Sequence, residues 1–200
     1  MKKPFYTLAI LDDHPVMHIA IKNLLKKQDK IRFVKFFSSE SDFISFVEQS
    51  PVDMVILDIT LNSMNGIEIL QLLKKKYSQM KIVIFTMHES PFYFSQAVNS
   101  GADGYILKTD NITVLPEVLG KIADGEKYYS SSLKQFSEQS QEKLTKRESE
   151  ILNLICSGMS VSEISEKLSL SKRTVEYHTA SLRQKFKVHS LLDLIQKVKA

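Results

Sequence analysis

Four short apolar runs within residues 1–125 each stop at a residue of a kind that performs chemistry. Residues 5–11 run into Asp12 and Asp13, residues 52–57 into Asp58, residues 82–85 into Thr86 and residues 104–107 into Lys108. Short, nearly continuous apolar runs are the pattern of strands buried on both faces of a parallel sheet. A fifth run, residues 31–37, alternates in part and also reads as a strand. Between the runs, apolar residues recur at helical spacing: Val16, Ile19, Ala20, Ile21, Leu24 and Leu25; Phe43, Ile44, Phe46 and Val47; Ile67, Ile69, Leu70, Leu72 and Leu73. Residues 90–99 open with Ser90-Pro91, a cap followed by proline at the first helical position. A last helix fits residues 112–122, closed near Gly125. Five strands alternating with five helices predict an α/β, flavodoxin-like, doubly wound five-stranded parallel sheet over residues 1–125.

Residues 126–143 are rich in Ser, Gln, Glu and Lys and read as a polar linker. Residues 144–200 predict a small all-α domain of four short helices. Capping-box pairs mark three starts, Thr145/Glu148, Ser160/Glu163 and Ser190/Asp193, and Ser171/Thr174 is a weaker fourth. Gly158 ends the first helix. Residues 160–168, a short turn and residues 171–187 then form a helix-turn-helix pattern.

Composition enters by exclusion. A single cysteine among 200 residues removes disulfide frameworks and cysteine-based zinc modules and fits a reducing compartment. Cys156 itself falls on the inner face of its helix, as a small hydrophobe would. No apolar run approaches the roughly 18 residues of a membrane span, and Asp12-Asp13 cuts short the one leader-like start. The expectation is a cytoplasmic protein with no membrane partner. The net charge of +4 is uneven: residues 1–125 are balanced at 14 Lys/Arg and 14 Asp/Glu, so the excess lies in residues 126–200. Residues 171–189 carry Lys172, Arg173, Arg183, Lys185 and Lys187 against Glu176 alone, which points to an anionic partner such as nucleic acid.

In a doubly wound sheet, chemistry gathers at the carboxyl ends of the strands. Asp12, Asp13, Asp58, Thr86 and Lys108 would converge on one rim. Three neighbouring carboxylates repel unless a cation neutralises them, and an all-oxygen ligand set suits Mg2+. A carboxylate beside Mg2+, a hydroxyl and an ammonium is a site for phosphoryl chemistry, with Asp58 attacking phosphorus and Lys108 and Thr86 stabilising the oxygens. Singly, each residue has an ordinary reading as a turn, a cap or a solvated lysine; their conjunction at four strand ends carries the weight. His14 and His18 have the i,i+4 spacing of a zinc pair, but His14 falls in the loop after the first strand.

On these residues the segment 1–125 resembles the receiver domain of bacterial two-component response regulators. The motifs are LDDHP (11–15), VILDITLNSMNGIE (55–68), IVIFTMH (82–88) and GADGYILKTD (101–110). The resemblance implies that Asp58 accepts a phosphoryl group from a sensor histidine kinase. It implies that Asp13 binds Mg2+ directly, Asp12 through water, and Thr60 through its backbone carbonyl. Thr86 and Tyr105 would form the switch pair, the ring following the hydroxyl inward. Asn62, Met87 and Thr109 depart from the residues usual in the family. Self-phosphorylation and autodephosphorylation at Asp58 are the only enzymatic steps implied.

Residues 144–188 resemble the LuxR-type output domain of the NarL/FixJ group. That implies residues 174–186 as a major-groove helix on double-stranded DNA, with Lys172, Arg173, Thr174, Glu176, Tyr177, Ala180, Arg183 and Lys185 as contacts. Backbone N–H groups at its start, with Lys172 and Arg173, suit a phosphate. Glu176 and Ala180 stand where relatives often place lysine, and a glutamate can accept from cytosine N4. His178 matches a family position where it packs or meets a phosphate. Residues 191–199 would pack beneath that helix and help form a homodimer on DNA. The leading expectation is a transcription factor gated by phosphorylation. Two alternatives stand beside it. One is a DNA-binding regulator whose receiver is a phosphorylation-independent dimerisation scaffold. The other is a Mg-dependent phosphatase with an aspartate nucleophile, which the lack of a second acid at Thr60 opposes.

Overall fold

The computed structural model describes residues 5–26, 30–62, 64–134 and 144–199. The chain divides into two units. The first alternates strand and helix: β1 Tyr6–Leu11, α1 Pro15–Leu25, β2 Ile31–Phe37, α2 Glu40–Gln49, β3 Met54–Leu57, α3 Gly66–Lys76, β4 Lys81–Thr86, α4 Pro91–Asn99, β5 Gly104–Leu107, α5 Leu115–Ala123 and β6 Tyr128–Tyr129. The strand order is β2-β1-β3-β4-β5-β6, and every pair is parallel. The order reverses between β1 and β3, which opens a crevice at their carboxyl ends.

Side-chain alternation explains why the central strands are apolar throughout. Leu8, Ile10, Met54, Ile56, Val83, Phe85 and Ile106 share one core with Ile21 and Leu25 of α1 and with Leu115, Val118, Leu119 and Ile122 of α5. The intervening residues Ala9, Leu11, Val55 and Leu57 are equally buried and face the other helical layer. The segment expected as one helix from residue 112 is a 3-10 turn, Ile112–Val114, followed by α5. Pro116 sits in the first turn of α5 and would break a helix begun three residues earlier.

The sheet has six strands rather than the five expected. The sixth lies in residues 126–143, which the sequence presented as linker. Tyr128 N–H donates to Asp103 O at 3.2 Å and Ser130 N–H to Tyr105 O at 2.9 Å, extending the sheet past β5. The Ser130 hydroxyl is buried; it accepts from Leu107 N–H at 2.9 Å and donates to Asp110 Oδ2 at 2.6 Å. A 3-10 turn, Ser131–Leu133, then buries Leu133 fully. Two residues are too few for periodicity to reveal a strand, and the polar composition hides the tie. Residues 135–143 of the expected linker lie outside the described residues.

The second unit is α6 Lys146–Cys156, α7 Val161–Lys167, α8 Lys172–Lys185 and α9 Leu191–Lys199. Reciprocal capping boxes form at Thr145/Glu148 and Ser160/Glu163. Ser190 and Asp193 exchange the same two bonds, at 3.0 and 3.1 Å. The Ser171 hydroxyl accepts from Thr174 N–H. Ile151, Leu152, Ile155, Ile164, Val175, Leu182, Leu194 and Val198 form the buried interior, and Cys156 is buried with them. The turn between α7 and α8 holds Ser169 in a left-handed conformation, φ 52°.

Candidate functional site

The carboxyl ends of β1, β3 and β5 bring the predicted residues together. Ligand atoms of Asp12, Asp13, His14 and Asp58 all lie within 4.8 Å of one another. Asp12 and Asp58 are buried. The Lys108 ammonium enters from the end of β5, 2.6 Å from Asp58 Oδ2 and 2.8 Å from Asp12 Oδ2. Burial alone would lower its pKa, but the two carboxylates outweigh that and hold it above the ordinary lysine value. The ammonium therefore stays charged.

One lysine does not balance three carboxylates. Asp12 Oδ2 and Asp13 Oδ1 are shielded from solvent and make no hydrogen bond; Lys108 Nζ lies 2.8 Å from Asp12 Oδ2 and the His14 ring nitrogen Nδ1 lies 2.9 Å from Asp13 Oδ1. Under-satisfied hard oxygen donors converging on one point fit a divalent cation. His14 Nδ1 also lies 3.0 Å from Asp12 Oδ1. His18 is placed differently: its Nε2 meets Asp12 O at 2.6 Å and its ring lies 5.0 Å from that of Phe36. The two histidines thus do not form a zinc pair.

The rim residues tie the loops together. Thr60 N–H donates to Asp58 Oδ1 at 3.3 Å. Its hydroxyl meets His88 Nε2 at 2.8 Å, and Tyr105 OH donates to His88 O at 2.8 Å. The Thr86 hydroxyl is fully buried at the end of β4 and accepts from His88 N–H at 3.4 Å. The Tyr105 ring lies inward, edge-on to Phe94 at 5.5 Å, and burial pushes its phenol well above its ordinary pKa. Asn62 Nδ2 reaches Asp13 Oδ2 at 3.5 Å, and Met87 is 62% exposed. Two residues escaped the sequence reading. His88 joins Thr60 to Tyr105. Gly66 opens α3 so close to the Asp58 loop that a Cβ there would lie 1.9 Å from Asp58 O. The Asn-Gly pair before an apolar helical pattern was the only available signal for the second.

On α8 the structure separates the eight predicted contacts. Lys172, Arg173, Glu176, Tyr177 and Ala180 are exposed along one side of the helix. The other three are engaged within the unit. The Thr174 hydroxyl meets Ser171 Oγ at 2.8 Å, Arg183 donates to His189 O at 3.2 Å, and Lys185 Nζ sits 2.8 Å from Glu148 Oε2. His178 is half-buried beside the Tyr177 ring. No helix among the described residues is long and apolar enough to cross a membrane.

Comparison with known proteins gives the same two parts. Residues 8–119 match the response regulator receiver domain, and residues 142–198 match the LuxR family of bacterial regulatory proteins. A nitrate/nitrite response regulator protein homolog of Haemophilus influenzae is 32% identical over 189 residues, covering 92% of this chain and 91% of its own. A structure of two RcsB dimers bound to two parallel DNAs is 25% identical, with a TM-score of 0.68, covering 96% of this chain and 97% of that one. RcsB from Salmonella enterica serovar Typhimurium, bound to promoter rprA with the phosphomimetic BeF3-, shares the fold at a TM-score of 0.80 and 23% identity, covering 98% and 99% of the two chains. The family is one of DNA-binding transcription regulators, which leaves the phosphatase reading without a role. A six-stranded receiver with its acidic pocket, followed by a four-helix LuxR-type domain, makes this chain a member of the NarL/FixJ-type response regulators.

Proposed function

We propose that Asp58 accepts a phosphoryl group from a partner histidine kinase and that this controls sequence-specific binding of α8 to double-stranded DNA. One observation carries the reading: a buried carboxylate held 2.6 Å from a lysine ammonium, beside two further carboxylates with unsatisfied oxygens. The carboxylates of Asp12, Asp13 and Asp58 and the Thr60 carbonyl would hold Mg2+, with Asp12 acting through water. Bound there, the metal would supply charge neutralisation and orientation for a phosphoryl group. Asp58 forms the oxygen–phosphorus bond as the phosphorus–nitrogen bond of a phosphohistidine breaks, and the departing imidazole takes up a proton. Lys108 balances the phosphoryl charge, and the Thr86 hydroxyl donates a hydrogen bond to a phosphoryl oxygen. The same acid takes a phosphoryl group from small donors and loses it to water. The Thr86–His88–Tyr105 chain of bonds is the element such a charge would bias.

The output step is pairing. Two copies would place two α8 helices on half-sites about one DNA turn apart, about 34 Å. The RcsB complexes bound to DNA as dimers support this arrangement. A cytoplasmic location suits such a protein. Intact mass after incubation with acetyl phosphate tests the acceptor. A gain of one phosphoryl group is expected, dependent on Mg2+ and missing in Asp58→Asn. An equal gain in Asp58→Asn would remove the assignment.

A further inference from the structure

We infer that α8 selects a cytosine through Glu176 and a neighbouring thymine through Tyr177 when it enters the major groove. This rests on the DNA-binding reading above and adds which bases the helix chooses. Glu176, Tyr177 and Ala180 lie on the exposed side of α8, and Glu176 and Ala180 are one helical turn apart. Among the described residues Glu176 makes no ion pair and no side-chain hydrogen bond. The two cations further along the helix are held within the unit, Lys185 on Glu148 and Arg183 on His189 O. Lys172 and Arg173 stand at the N-terminal end, suited to phosphate. The middle of the exposed face therefore presents a carboxylate, an aromatic ring and a methyl, with no cation among them.

That set has a definite base preference. A carboxylate only accepts. The major-groove edge of guanine offers O6 and N7, both acceptors, and thymine offers O4, an acceptor, beside its methyl; both repel Glu176. Cytosine offers the N4 amino donor alone. Adenine offers N6 as donor, but its N7 acceptor opposes the second carboxylate oxygen. Cytosine is the best match, and the usual readers of guanine, Arg and Lys, are missing from the centre of the face. Tyr177 is 71% exposed, so its ring gains little from burial in folding. In the groove the thymine C5 methyl is the one apolar feature such a ring can cover. Ala180, with a single methyl, leaves room for the base beneath it.

The test uses the full chain, with and without prior phosphorylation, on a pool of duplexes with a randomised stretch. Binding to the enriched duplex is then measured with each base at each position. One position per half-site should require cytosine, with affinity falling about tenfold for guanine or thymine. Glu176→Gln should move that preference to adenine, since a carboxamide matches N6 and N7 together. Glu176→Ala should flatten it. Replacing thymine by uracil removes only the methyl; it should weaken the wild type several-fold and leave Tyr177→Ala unaffected. Both side chains are exposed, so circular dichroism should show unchanged helix content in every variant. A guanine at the sensitive position, or preferences that Glu176→Gln leaves unmoved, would overturn the inference. Binding with no base preference would overturn it too, and would strip sequence specificity from the reading above while leaving DNA binding itself. No binding to any duplex at low salt would overturn both.

Discussion

Gly66 lies against the acid-bearing loop without taking part in its chemistry. A Cβ at this residue would meet Asp58 O at 1.9 Å and Asp58 C at 2.8 Å, and backbone atoms cannot swing aside as a side chain can. Residue 66 thus sets how closely the start of α3 approaches the Asp58 loop. Gly66→Ala is expected to destabilise by about 1–3 kcal/mol, the usual cost of overpacking, and to cut phosphoryl uptake at Asp58 because the loop must move. Gly120 is the internal control. It lies inside α5 with nothing within 4 Å of its ideal Cβ. Gly120→Ala should stabilise by about 0.5–1 kcal/mol, as alanine does in a helix interior, and leave uptake unchanged. Thermal melts and intact mass check both; a Gly66→Ala protein with wild-type melting and uptake would show that the close approach is dispensable. Asp12, Asp13, Asp58, Thr86 and Lys108 were legible in the sequence because each ends a strand, and strand ends of a doubly wound sheet share one rim. Gly66 and His88 were not, because one acts by having no side chain and the other joins loops distant in sequence.

Elements were legible where a period repeats and hidden where a side chain serves two of them at once. Thr145/Glu148 read as a capping box, and it is one. The same Glu148 carboxylate also accepts from Ser181 at 2.7 Å and from Lys185 at 2.8 Å, both on α8. The start of α6 is thereby fastened to α8, and a cation expected on DNA is committed to the fold. The strand β6 was hidden for a related reason: Ser130 is held by Leu107 and Asp110, contacts that no local pattern announces. Burial would raise the Glu148 pKa, but the bonds from Lys185, Thr145 and Ser181 prevail and bring it down to about 2 from an ordinary 4.5. A depressed carboxylate stabilises the fold above its unfolded pKa, so this contribution is whole at neutral pH. It is lost as pH falls from 4.5 toward 2, at a cost of about 2–3 kcal/mol. Amide exchange in α6 and α8 of the full chain should reveal it. Wild type should lose protection over that window, relative to pH 6, far more steeply than Glu148→Gln, which is already weakened at pH 6. Equal pH profiles would mean the carboxylate contributes little.

Charge at the scale of the whole molecule argues that one copy grips DNA weakly. The receiver half is electrically balanced, and the excess of four positive charges lies in residues 126–200. Yet on the open side of α8 only Lys172 and Arg173 are cationic, Glu176 opposes them, and Lys185 is neutralised by Glu148. Each phosphate contact contributes about 0.9 to the slope of log affinity against log salt. Two contacts per copy predict a slope of about −2 for one chain and about −4 for a pair bound to two half-sites. Phosphorylation that pairs two receivers should therefore double the salt slope as it tightens binding, since affinity and counterion release rise together. An Asp58→Asn chain should keep the shallow slope whatever donor it meets. Fluorescence anisotropy on one operator duplex across a salt series, with and without acetyl phosphate, measures both quantities. A tighter complex with an unchanged slope would mean that phosphorylation frees α8 within one copy without recruiting a second. Wild-type affinity and slope in Asp58→Asn would mean that the receiver pairs without being phosphorylated.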